Sequence, residues 1–187
     1  SITGPNMIHR MFACLLTIPL LLTAAPEARA HAVINEGTAV AGSFSFITLR
    51  ITHGCGASPT NQIRMKIPDG VIRVSPRFME NWTIEKRMKT LGTPYEDEAG
   101  NLVTETVDEI VWSGGSLPDG YYGEFQVRAL MPDTPGETLW FKTIQNCQEG
   151  TIRWIEVPTR EGQSPYEFKE PSPFIRIVEK PHGDKHR

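Results

Sequence analysis

Apolar side chains in this chain return at every second residue, in one segment after another. In "SFSFITLRI", Ile47, Leu49 and Ile51 fall on one side and Phe44 and Phe46 on the other. "QIRMKI" alternates Ile63, Met65 and Ile67 with Arg64 and Lys66, and "EFQVRAL" alternates Phe125, Val127 and Ala129 with Gln126 and Arg128. "TIRWIEV" puts Ile152 and Trp154 on a common side. A period of two fits a half-buried strand, not a helix. Gly, Pro, Asp or Asn bounds each segment, and "PDG" at 68–70 and again at 118–120 signals turns. "YEDEAGN" reads as an acidic hairpin tip. "ENWTIEKRMKTL" comes nearest to a helical stripe, but its Trp82, Ile84 and Met88 suit a strand as well. About eight or nine short strands at this spacing predict an all-β fold, an antiparallel β-sandwich.

Residues 1–30 do not share this pattern. "SITGPN" precedes Met7, His9 and Arg10 form a short basic region, and Met11 to Ala25 is nearly all apolar. That run suits a secretory signal and is short for a membrane span. Pro26 breaks it, and Ala28-Arg29-Ala30 fits the small-x-small cleavage signature. The expected organisation is therefore a leader and signal peptide at 1–30, a sandwich domain at 31–160, and a Pro-rich extended segment and tail at 161–187. Within that last segment "FIRIVEK" is expected to add an edge strand, and "PHGDKHR" to fray.

Export sets the reading of the cysteines. Cys14 leaves with the signal, and Cys55 and Cys147 remain as one expected disulfide. The formal net charge is −3 with mixed signs and no long basic run, which argues against nucleic acid as a partner. No stretch after the signal approaches a transmembrane length, so the expected location is the periplasm.

Cleavage after Ala30 would make His31 the first residue. An N-terminal histidine chelates through its amine and Nδ1, and such a nitrogen pair suits Cu(II). The amine titrates at about pH 8 and deprotonates far more readily than a lysine. His53 is the other histidine inside the expected fold, while His182 and His186 lie on the tail.

"HAVINEGTAVAGSFSFITLRI", followed by "IPDGV", "VSP" and "NWTIE", resembles the YcnI-like family of exported copper-binding domains. The matching positions are His31, Ala41-Gly42-Ser43, Pro68-Asp69-Gly70, Pro76 and Asn81-Trp82, with Trp140, Gly150 and Trp154 further on. The resemblance spans roughly His31 to Val157. It implies an immunoglobulin- or cupredoxin-like sandwich and a copper site built on the first histidine, a carboxylate and a nearby Trp, here Trp154. It also implies partners among periplasmic copper-handling proteins.

The chain departs from the family at one point. Where the family carries a ligand glutamate, this sequence reads "RITHGCGASP", with Gly54 in that register and His53 beside it. His53 is therefore the expected second side-chain ligand, held by the Cys55–Cys147 bridge. Glu36 is out of phase with residue 31 and is a poor substitute. The expected function is a copper chaperone or scavenger that binds Cu(II) and is not an enzyme. Two readings stand beside it. A metal-free envelope interaction module needs no ligands at all. A histidine-brace oxidase would need an axial aromatic, and Tyr121 and Tyr122 are the available ones.

Overall fold

The structure, a computed structural model, describes residues 31–181. Within them the alternating segments form twelve strands in three sheets. β1 (Val33–Ile34), β3 (Phe44–Ile51), β8 (Gly123–Leu130) and β5 (Ile72–Pro76) make a four-stranded sheet in the order β1-β3-β8-β5. The larger sheet is ordered β11-β10-β4-β7-β6, from β11 (Thr151–Trp154), β10 (Thr143–Cys147), β4 (Thr60–Lys66), β7 (Leu102–Leu117) and β6 (Thr83–Glu96). A third sheet, β2-β12-β9, closes one side with β2 (Thr38–Val40), β12 (Phe174–Val178) and β9 (Thr138–Trp140). The strands number more than the sequence suggests because β1, β2 and β9 are only two or three residues long, too short for alternation to register.

The fold is all-β, and its core contains most of the apolar residues of the alternating segments together with others outside them, such as Leu139, Phe141, Ile175 and Ile177. Ile47, Leu49 and Ile51 of β3 face Ile63 and Met65 of β4, and all are sealed from solvent. Trp112 of β7 meets Phe125 of β8 edge to face at 5.5 Å, joining the two large sheets. Each such large side chain contributes roughly 1.5–3 kcal/mol by leaving water. The opposite faces behave as alternation requires: Phe46 is 55% exposed, and Phe44 sits at the surface under the Arg128 guanidinium, 3.7 Å from its ring centroid. "ENWTIEKRMKTL" is strand, not helix, and the acidic tip Asp97–Asn101 turns β6 into β7, with the Asp97 carboxylate accepting the N–H groups of Ala99 and Asn101. Those bonds hold the Asp97 carboxyl below its usual range.

"FIRIVEK" is a correction. β12 is the central strand of its sheet, not an edge. It pairs antiparallel with β9 and parallel with β2, the one parallel pairing among these strands. Ile175 and Ile177 are fully in the core. Residues 171–178 are thus packed with the sandwich. A parallel partner more than a hundred residues upstream leaves no local trace in sequence. The signal-peptide reading, Cys14, His182 and His186 all lie outside the described residues.

Candidate functional site

The start of the described chain and the end of β3 are brought together by register. β1 pairs antiparallel with β3 through Val33↔Arg50 and Ile34↔Leu49. His31 lies two residues before β1 and His53 two residues after Ile51, so both come to the same end of this strand pair. Trp154, the last residue of β11, arrives there from the other large sheet. The His31 ring lies 6.2 Å from the Trp154 ring, and the His53 ring lies 5.9 Å from it, both edge to face. One buried indole therefore carries both imidazoles. Residues 31, 53 and 154, singled out separately in the sequence, form one cluster.

The His53 loop is fixed by four independent restraints. Its Nδ1–H donates to the Gly54 carbonyl at 2.7 Å, which holds the proton on Nδ1 and directs the Nε2 lone pair away. The Gly54 N–H donates to Asp119 Oδ1 at 3.0 Å. Cys55 and Ser58 exchange backbone hydrogen bonds across a tight turn. The disulfide Cys55–Cys147 then ties this turn to the end of β10. Gly54 is required by close approach: a Cβ at this position would collide with the Ser58 carbonyl. The site where the family's glutamate was expected therefore has no room for any side chain, and the adjoining histidine occupies the position facing Trp154.

Gln145 is the residue that sequence reasoning missed. It is completely buried in β10, and its side chain joins three elements. Its Nε2 donates to the His53 carbonyl at 2.7 Å and to Thr60 Oγ1 at 2.8 Å, while its Oε1 accepts from the Trp154 indole at 2.9 Å. The available signal was phase: Gln145 shares its face of β10 with Thr143 and Cys147, so it points inward beside the disulfide. Gln145→Leu keeps the bulk and removes all three bonds. It is expected to cost roughly 2–4 kcal/mol in urea unfolding, because buried donors and acceptors are left without partners. A loss below about 0.5 kcal/mol, within the range of a surface substitution, would contradict this role.

Tyr166 was missed too. It stacks on His31 with ring centroids 6.5 Å apart and planes 20° from parallel. It rides on a 3-10 turn, Pro165–Glu167, capped reciprocally by Ser164 and Glu167. The Ser-Pro-x-Glu run is the corresponding sequence signature, and it lies in the stretch expected to be extended. Tyr166 lines a cavity of about 110 Å³ together with His31, Ile34 and Phe174.

Other candidates fall elsewhere. The Glu36 carboxylate accepts from the Thr48 N–H and hydroxyl, which makes it a fastener of the β1–β3 edge. Tyr121 and Tyr122 are each 68% exposed on the turn into β8. Among the described residues no three His, Cys, Asp or Glu side chains converge as a metal-binding group. What converges is a pair of imidazoles on an indole. Neutral imidazole is a borderline donor that suits Cu, Zn and Ni, so the donor set is compatible with copper.

A family model described as "Domain of unknown function (DUF1775)" matches residues 31–177. The chain is also similar to a solved structure described as an uncharacterized protein from Nocardia farcinica with an immunoglobulin-like fold. The two share 17% identity over 79% of this chain and 98% of that one, with a TM-score of 0.59. That likeness supports the immunoglobulin-like sandwich. No curated protein matches the chain.

Proposed function

Because the chain belongs to the family described as a domain of unknown function, DUF1775, and pairs His31 with His53 on one indole, we propose that it is an exported copper-binding protein. Cleavage after Ala30 would turn the His31 nitrogen into an amine, so that His31 offers two nitrogens and His53 a third. Three neutral nitrogen donors suit Cu(II). The observation that carries the reading is the shared contact of both imidazoles with Trp154. The resemblance to the YcnI-like family supports it. Copper is cargo here, taken up in the periplasm and passed to other copper-handling proteins.

The donor set is held before any metal arrives. Gln145 fixes both Trp154 and the His53 carbonyl, and the Gly54 carbonyl sets the His53 tautomer. Such outer contacts commonly account for 10–100-fold in metal affinity, on the order of one or two decades. Trp154 adds an apolar wall that limits water at the nitrogens.

The test is a Cu(II) titration of protein beginning at His31, followed by isothermal calorimetry at neutral pH. The expected result is a single site filled at one copper per chain, with binding that strengthens up to about pH 8 as the amine deprotonates. Absence of binding at micromolar copper would sink the proposal and leave the metal-free interaction module as the better account.

A further inference from the structure

We propose that Tyr166 is a gating residue and that the segment carrying it is a hinged lid over His31, setting how fast copper enters and leaves. The inference rests on the copper reading for its function but not for its geometry.

The lid is the stretch 157–169. Its two feet are joined where it leaves and rejoins the sandwich. The Ile155 and Glu156 N–H groups both donate to the Glu170 carbonyl at 3.2 Å, and the Ser172 N–H donates to the Glu156 carbonyl at 2.8 Å. The Glu156 carboxylate closes the neck by accepting from the Glu170 N–H at 2.7 Å.

Between these feet the segment is internally braced. The Thr159 N–H donates to Gln163 Oε1 at 3.1 Å, the Gln163 N–H to the Arg160 carbonyl at 3.3 Å, and Ser164 and Glu167 cap each other. Every one of these bonds stays inside the segment. The element is therefore braced in itself, and the proposed motion is a pivot of the whole unit about its neck.

What seats it on the body is aromatic contact. Tyr166 stacks on His31 and leans on Phe174 at 6.4 Å, yet it remains 65% exposed, and the 3-10 turn buries none of its residues. It borders the 110 Å³ cavity rather than packed core. A roof over a void forfeits the dispersion contacts that would hold it shut. A segment with few buried apolar contacts belongs to the part of a fold that opens most readily.

The consequence is kinetic. Tyr166 covers one face of the His31 ring, while Trp154 occupies another side. Lifting the roof uncovers that face and widens the approach to the ring nitrogens, so copper enters and leaves His31 faster. A stack kept in both the free and the loaded protein cancels from the equilibrium affinity and acts on both rates.

Two readouts test this on protein beginning at His31. In the first, copper is removed from the loaded protein by excess chelator in stopped flow. Tyr166→Ala is expected to release copper roughly 3- to 10-fold faster, the scale of one aromatic pair, with an unchanged dissociation constant. Tyr166→Phe keeps the ring and should keep the slow rate. In the second, metal-free protein is treated with diethyl pyrocarbonate at about pH 6, where the α-amine stays protonated, and modification of the His31 ring is followed by fragment-ion mass spectrometry. Tyr166→Ala should raise the His31 rate by a similar factor, with His53 as the internal control. If copper fails to bind, the second readout still decides the lid. Unchanged His31 modification in Tyr166→Ala overturns the lid. So does a Tyr166→Phe variant as fast as Tyr166→Ala.

Discussion

A single alanine inserted ahead of His31 is expected to weaken Cu(II) binding by more than about 100-fold, although it alters no side chain of the site. Changes to groups that hold a metal's ligands in place commonly cost about 10–100-fold, on the order of 1.4–2.8 kcal/mol. The insertion does more: it converts the amine into an amide, whose nitrogen is no longer a ready donor, and it breaks the chelate ring with the imidazole. His31→Ala removes the imidazole and keeps an amine, and its loss should be at least as large. His53→Ala should cost less, because the two-nitrogen chelate at His31 survives. Competition against a chelator of known affinity measures all three on one scale. Equal affinities for the native and inserted proteins would contradict the role of the amine. The same logic bears on any protein studied with residues 1–30 attached, in which the nitrogen of His31 is already part of a peptide bond.

The second large effect is expected from the disulfide. Cys55 and Cys147 are separated by 92 residues, with Cα atoms 6.0 Å apart. By the loop-entropy argument, a bridge of that span stabilises by about 4–5 kcal/mol, chiefly by restricting the unfolded chain. Cys55→Ser combined with Cys147→Ser is therefore expected to lower the urea unfolding free energy by about that amount. A native-state consequence follows as well. Cys55 lies two residues beyond His53, and Cys147 two residues beyond Gln145. Cutting the bridge loosens the turn that presents His53 while β10 still carries Gln145. The double variant should thus lose the copper affinity attributable to His53 and retain that of His31. A stability change below about 1 kcal/mol would mean that the unfolded chain gains little freedom when the bridge is lost.

The sheets were legible because alternation is a local property. Ile47, Leu49 and Ile51 declare their common face within five residues, and the two "PDG" turns mark where the chain reverses. His31 and His53 stand out in the sequence as candidate ligands, and their arrival at one end of the sandwich beside Trp154 follows from a short-range pairing of β1 with β3. β12 was not legible as a central strand, since its neighbours Thr38–Val40 and Thr138–Trp140 lie far away in the chain. Gln145 was hidden for a different reason. A polar residue at an inward position signals a buried hydrogen-bond hub only once its partners are known, and these come from β4, β11 and the His53 loop. Tyr166 was obscured by composition: its prolines read as an extended segment, although Ser164 and Glu167 bracket a capped turn. Gly54 shows the opposite case. Its lack of a side chain marked a departure from the family, and the crowding by the Ser58 carbonyl supplies the physical reason.

In the proposed site His31 and His53 bind one copper together, with the amine of His31 as the third nitrogen. Pulsed electron paramagnetic resonance on Cu(II)-loaded protein beginning at His31 counts the coordinated imidazoles directly. Two imidazole couplings are expected in the native protein and one in His53→Ala. A native spectrum with a single imidazole, unchanged when His53 is replaced, would contradict it.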